Sequence, residues 1–399
     1  MLRQALVSRQ LTASLAKALK SSLVKVISGP RRAGKSTLAF QVLAPHRFGY
    51  LNFEDDSLYD ELPSDTLIEA LQDVYGKTDF LFFDEIQNYP HWESFINKLH
   101  RRGHNLVITG SNSRLLSREL GSALTGRHIA FQLLPFSFVE YKAAQKAEAQ
   151  AGNLLFDRYL QWGGFPEIAL GKSEPHNYLS TLFDSIVLRD IVTRHHVRAS
   201  TAIYDLLSLL INNAANRFTA RSLDRSLDQL STATIQKFIA YSREAYLIQD
   251  LQPYFFKPKK RLKADRKVYA FDNGFISAKS QPATSTQSRL LENLVFIELV
   301  RRGYVPNNQL FYYETNLGHE VDFLVRQGSR NEELIQVTQH LSSLKTRERE
   351  IRALLQAAEE LRVQRLTVIT LRDSESIQEQ GHRIRVISCD QWLQGNSST

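Results

Sequence analysis

The chain is almost without sulfur: of 399 residues one is cysteine, Cys389, and one is methionine. A lone cysteine excludes an intrachain disulfide and any cysteine-cluster zinc site, and it fits a reducing, cytoplasmic home. Long apolar runs are lacking as well. Pieces such as residues 206–211 fall far below the roughly 18 residues that cross a bilayer, so no membrane partner is expected. Acidic residues are missing from the start of the chain, where Glu54 is the first. With leucines at 2, 6, 11, 15 and 19, residues 1–26 read as a basic amphipathic helix, the pattern also shown by mitochondrial presequences. No small-residue cleavage signal separates that stretch from the apolar residues 23–27, so it is expected to belong to the fold.

The remaining composition is that of a globular protein, 43% hydrophobic and 23% charged, long enough for two or three domains. The net charge is +8, and its excess lies in the middle: residues 151–280 carry 18 basic side chains against 12 acidic ones. That asymmetry points to an anionic partner, most simply nucleic acid; a solubilising surface is the plainer alternative.

Chemistry is concentrated near the start. An apolar run at 23–27 is followed by Gly29, Pro30, Arg31, Arg32, Ala33, Gly34, Lys35, Ser36 and Thr37, and then by apolar residues at helical spacing. Strand, G-x-x-x-x-G-K-S loop and helix are the P-loop in its required context. The glycines let successive N–H groups turn inward to hold the phosphates of ATP, with Lys35 on the β- and γ-phosphates and the Ser36 hydroxyl on Mg²⁺. A second buried strand, residues 80–83, ends in Asp84 and Glu85. Asp84 is expected to hold Mg²⁺ through its waters, and Glu85 to polarise the water that attacks the γ-phosphate. A third strand, 105–109, runs into Gly110, Ser111, Asn112 and Ser113, where Ser111 or Asn112 is placed to sense the γ-phosphate. Arg127, just before a further strand, has the position of an arginine finger acting in cis or, in a homo-oligomer, in trans.

These segments, together with Leu-Pro-Phe-Ser-Phe-Val-Glu-Tyr141, Gly-Gly-Phe-Pro-Glu167, Leu-Arg-Asp-Ile191, Tyr-Ala-Phe-Asp-Asn-Gly274 and Gly-His-Glu-Val-Asp-Phe323, resemble the prokaryotic AAA-type ATPases that carry a C-terminal domain of unknown function numbered 4143. The likeness spans nearly the whole chain. It implies an α/β fold: a P-loop AAA-type ATPase domain with a parallel sheet (1–150), a helical linker and winged helix (151–280), and an α/β restriction-endonuclease-like domain (281–399).

Residue patterns can be set beside that expectation. Leucines at 223, 227 and 230 and apolar residues at 235, 238, 239 and 246 mark two short helices, and strands follow at 247–251 and 267–271. Lys237 and Arg243 on the second helix suit a DNA groove. The connecting wing, 257–267, holds seven basic residues against one acid, with Lys257, Lys259, Lys260, Arg261 and Lys263 expected on phosphates. A wing that contacts protein, or is merely solvated, is the alternative. In the last third, Glu292 on a helix, Asp322 on a strand and the strand at 334–338 outline a nuclease pocket. Active members of that fold carry an acid and a lysine where this chain has Gln336 and Thr338, so the pocket is expected to be degenerate. Glu292, Glu320 or an incoming lysine such as Lys345 are the candidate substitutes. The resulting reading is an ATP hydrolase acting on DNA. The alternatives are a nucleotide-dependent switch or scaffold for a protein partner, and an ATP-dependent nuclease.

Overall fold

A computed structural model of the chain describes residues 7–54, 63–116, 126–145, 152–226, 230–261, 264–280 and 286–395. Two compact units are formed, one of Met1–Phe136 with Glu244–Tyr246, the other of Ser137–Arg243 with Leu247–Thr399.

The first unit is built on β1 (Val24–Ser28), β2 (Phe48–Asn52), β3 (Phe80–Asp84), β4 (Leu106–Gly110) and β5 (His128–Gln132), all parallel in the order β2-β3-β4-β1-β5. Every residue of β1, β3 and β4 is buried, which is why these strands read as largely apolar runs, broken only by the buried Lys25 in β1 and by polar residues at their ends. Two helices, α1 (Thr12–Ala18) and α2 (Lys35–Leu43), cover one face, where Leu38, Ala39 and Val42 pack on Ile27, Phe82 and Val107. On the other face α3 (Ser64–Tyr75) and α4 (Trp92–Arg101) set Ile68, Leu71, Phe95 and Leu99 against Phe83 and Ile108. The first helix begins at Thr12, later than the leucine pattern implied; residues 1–6 lie outside the described set. Register pairs Ile27 with Thr109 and Phe83 with Ile108, so Ser28, Asp84 and Gly110 emerge within one residue of each other at one sheet edge, Asp84 beside Thr109.

In the second unit helices at Ser200–Asn212, Ala220–Ser226 and Thr232–Glu244 accompany a small antiparallel sheet in the order β6-β8-β7: β6 (Arg217–Phe218), β7 (Ile248–Leu251) and β8 (Arg266–Ala270). A six-stranded mixed sheet follows: β9 (Leu310–Glu314), β10 (Glu320–Gln327), β11 (Arg330–Thr338), β12 (Arg365–Thr370), β13 (Glu375–Glu379) and β14 (His382–Ser388), ordered β13-β14-β12-β11-β10-β9. The helix Leu344–Leu361 sets Ile351, Leu354 and Ala358 in a core with Leu324, Leu334, Leu366 and Ile384.

Two of the glycine-rich motifs meet in this unit. Asp272 is buried and accepts from the Gly164 and Gly274 amides at 2.9 and 2.8 Å. Gly163 has φ +72°, and a Cβ there would lie 1.7 Å from the Asp272 carboxylate, so only glycine fits. Asn273 and Asn293, both buried, bond each other and the carbonyls of Leu160, Leu290 and Ala270. These motifs thus tie the helix Gly152–Trp162 to β8 and to the helix Thr286–Arg301, a structural role.

Candidate active site

The loop between β1 and α2 is wrapped as tightly as its glycines allow. Gly34 has φ +95° as it enters the helix, and a Cβ on Gly29 would lie 2.0 Å from the Leu133 carbonyl oxygen. Lys35 is 4% exposed; its Nζ lies 3.1 Å from the Pro30 carbonyl and 3.1 Å from Glu85 Oε1. Arg31 pairs with Glu54, while Arg32 and Thr37 are exposed and Ala33 is buried.

Opposite the loop, β3 delivers its two acids. Ser36 donates its hydroxyl to Asp84 Oδ1 at 2.9 Å, Thr109 donates to the same oxygen, and Tyr50 donates to Oδ2 at 3.3 Å. Burial raises the Asp84 carboxyl above its ordinary range, and the Thr109 and Ser36 hydrogen bonds counter that rise. A hydroxyl and a carboxylate side by side at the P-loop are the donor set a Mg²⁺ ion takes in such sites, so Ser36 and Asp84 fit the expected ion. Glu85 sits at φ +51°, and its Oε2 accepts from the Ser111 amide at 3.0 Å and from Gln87 Nε2 at 2.6 Å. Burial pushes its carboxyl up, but the Lys35 ammonium and the bonds from Gln87 and Ser111 outweigh that and hold it at about 2.

Lys35, Ser36, Asp84, Glu85 and Ser111 are therefore brought together. Asn112 is buried at the same strand end, where its carbonyl accepts from Leu115. Arg127 is not brought to this site. Its carbonyl accepts from the Val24 amide at the start of β1, the sheet end opposite Ser28, roughly 15 Å along the strand from the loop. A role in cis is thereby withdrawn, because parallel pairing sets the beginning of β5 beside the beginning of β1. Two participants went unrecognised in the sequence. Arg9, buried, donates to the Ala33 carbonyl at 2.8 Å and to Leu134 at 2.6 Å, bracing the loop from behind. Tyr50 reaches Asp84 from the neighbouring strand, as the pairing of Asn52 with Asp84 allows.

The expected DNA contacts divide. Lys237, Lys257, Lys259 and Lys260 are exposed, and Lys263 lies outside the described residues. Arg243 is instead bonded to buried Asp250 at 3.0 Å. Arg261 donates to the Phe255 carbonyl at 3.1 Å, with its guanidinium over the rings of Phe311 and Tyr254. Arg261 is a correction, because a planar guanidinium over aromatic faces is drawn inward, whereas Arg243 keeps 37% of its side chain exposed while it pairs with Asp250. Residues Pro258–Arg261 form a short helix inside the basic segment 257–267.

The region in which a nuclease pocket was expected differs most from expectation. Glu292 and Asp322 converge on one side chain, and the Asp322 amide donates to Gln336 Oε1 at 3.3 Å, yet the positive charge is not missing. Lys267, projecting from β8, lies 2.8 Å from Glu292, 2.7 Å from Glu320 and 2.9 Å from Asp322, and is 2% exposed. Burial alone would lower its pKa; the facing carboxylates raise it well above the ordinary lysine value. Burial and the charge of Asp322 raise Glu292 in turn. Gln336 donates to Glu350 at 2.5 Å, while Thr338 lies 3.5 Å from the His340 carbonyl. Lys345 stays exposed.

A five-stranded parallel sheet whose first strand opens into a lysine-bearing glycine loop, beside a second strand ending in paired acids, defines the AAA-type P-loop ATPase fold. A family model described as an AAA domain matches residues 21–142, and two described as domains of unknown function, numbered 8612 and 4143, match 153–285 and 287–392. The uncharacterized protein MJ1544 of Methanocaldococcus jannaschii is 34% identical, over 92% of this chain and 88% of that protein. An uncharacterized Haemophilus influenzae protein is 32% identical over 71% and 76%. The solved Walker-type ATPase PABY2304 of Pyrococcus abyssi is 13% identical, with 69% of this chain and 97% of that one covered at a TM-score of 0.47. The chain belongs to the family that joins this AAA domain to the domain of unknown function numbered 4143. Among the described residues no helix is long and apolar enough to cross a membrane.

Proposed function

We propose that the protein is an ATP hydrolase that acts on DNA, and that its nuclease-like domain is inactive. The observation that carries the first part is the meeting of Lys35, Ser36, Asp84 and Glu85 within hydrogen-bonding distance at one sheet edge. In this reading the loop amides and Lys35 bind the triphosphate, and Lys35 exchanges Glu85 for phosphate oxygens. Ser36 and Asp84 would hold Mg²⁺, whose chemistry when bound is to neutralise charge on the β- and γ-phosphates. Glu85, freed from Lys35, orients and polarises the water. A homo-oligomer in which Arg127 acts in trans belongs to the same proposal.

DNA is favoured by the exposed Lys237, Lys257, Lys259 and Lys260, set on a helix and a wing in the order expected of a winged helix. A protein-binding switch, the second reading, is favoured by the fact that both Glu85 oxygens are engaged by the chain itself. Cleavage by the last domain is disfavoured because the Lys267 ammonium fills the space between the carboxylates that would bind metal.

Steady-state ATP turnover with and without single-stranded, duplex and branched DNA separates these readings. DNA-stimulated turnover, lost in Lys35→Ala and in Glu85→Gln while the latter still binds ATP, is the expected result. Tight nucleotide retention without any DNA effect would favour the switch. Metal-dependent cleavage abolished by Asp322→Ala would restore the nuclease.

A further inference from the structure

Gln87 has no part in the function argued so far, yet it is the residue most closely engaged with Glu85. It lies in the 3₁₀ turn Ile86–Asn88 that directly follows the acid pair. Its Nε2 donates to Glu85 Oε2 at 2.6 Å and lies 3.4 Å from the Ser111 hydroxyl. The reverse amide orientation would set two oxygens face to face, so the donor end is fixed by the carboxylate. The other end of the amide, Oε1, is buried with no hydrogen-bond partner among the described residues. A buried amide oxygen left unsatisfied costs on the order of 1–3 kcal/mol, so this side chain is not placed for its own stability.

The neighbouring strand end is shaped around it. A Cβ on Gly110 would lie 2.2 Å from Gln87 Oε1 and 2.0 Å from a Leu115 methyl. Gly110 therefore leaves the space that Gln87 fills. Glu85 itself holds a left-handed backbone conformation that a non-glycine residue adopts at some cost, and this turns its carboxylate back toward the end of β4.

The two carboxylate oxygens face different partners. Oε1 meets Lys35, which a nucleotide would draw away; Oε2 meets Gln87 and the Ser111 amide, an uncharged side chain and a main-chain donor. From this geometry we infer that Gln87 is a positioning residue for ATP hydrolysis: with the Ser111 amide it pins Oε2, so that Oε1, once released by Lys35, is the oxygen that takes the attacking water. The inference rests on the ATPase reading and gives it a specific orientation. It also gives a reason for the spacing Asp84-Glu85-Ile86-Gln87, in which the donor returns to the acid two residues behind it.

The test compares the full-length wild type with Gln87→Leu, which keeps the bulk and removes the donor, and with Gln87→Ala in case the first misfolds. The readouts are kcat and KM for ATP and affinity for a non-hydrolysable ATP analogue. Expected are a kcat lower by about 10- to 100-fold, as for a reacting group misplaced by an ångström, and analogue affinity within about two-fold of wild type. A structural role alone would weaken binding and turnover together, and that result overturns the inference. So does turnover within two-fold of wild type. If the wild type itself hydrolyses no ATP, the ATPase reading fails and takes this inference with it, an outcome distinct from undiminished turnover in the variants.

Discussion

Lys267→Met removes the ammonium that neutralises the acidic pocket, and its cost follows from the groups around it. Three carboxylates face Lys267 at 2.7–2.9 Å, but Glu320 also pairs with Arg217, so the substitution strips the cation from two acids, Glu292 and Asp322. Each keeps one neutral donor, the Tyr269 hydroxyl at 2.8 Å and the Val337 amide at 2.9 Å. Breaking a buried ion pair from one side typically costs about 3–5 kcal/mol, because the remaining charge is left desolvated. For a domain of this size that corresponds to a melting temperature lower by roughly 6 to 20 °C.

The pH dependence is diagnostic. Without the cation, burial holds the folded-state pKa values of Glu292 and Asp322 above their unfolded values near 4. A raised folded pKa gives stability that is full below the unfolded value and lost as pH rises through the folded one. The variant should therefore be penalised more at pH 8 than at pH 5, and Lys267→Met combined with Asp322→Asn should recover much of the loss. Thermal and urea unfolding at the two pH values measure this. A loss below about 1 kcal/mol, or one independent of pH, would refute the view that Lys267 is the counter-ion the pocket needs.

Two further outcomes are expected. Replacing Lys257, Lys259 and Lys260 with glutamine should flatten the salt dependence of DNA binding by about 0.9 in log–log slope for each phosphate that is no longer neutralised, whereas Arg261→Ala, which removes an inward-packed guanidinium, should leave the slope and lower stability; fluorescence anisotropy across a salt series reads both. Arg9→Ala removes two charge-assisted hydrogen bonds behind the P-loop, each worth about 1.5–3 kcal/mol, and should weaken nucleotide binding and lower the melting temperature together.

What was legible in the sequence was whatever depends on short separations. The P-loop, its strand and its helix are contiguous, and the glycines announce the backbone they permit. The acids at 84 and 85 follow an apolar run that only a doubly covered strand explains. Arg127 was misplaced for a specific reason: its neighbourhood in sequence says that a strand follows, but not that parallel pairing carries that strand's beginning away from the phosphate edge. Gln87 was visible but carried no pattern, since a single polar residue after a strand is equally a turn.

The long-range pairings were of another kind. Lys267 is separated from Asp322 by 55 positions and stood in a basic run that, counted as charge, pointed outward to DNA. Its neighbours in the run show what decides such cases. Arg266 reaches buried Asp250 at 2.9 Å, Arg261 lies over aromatic rings, and Lys259 and Lys260 remain in solvent. Alternation along β8 sends 266 and 267 to opposite faces of the strand, and each face meets its own buried acid. A charge run that enters a strand is thus divided by the pleat, and only the part lying outside the strand can be read as a surface. The number of lysines and arginines free to meet a nucleic acid is accordingly smaller than the seven that the sequence displays, and the salt slope measured for DNA should reflect the smaller set.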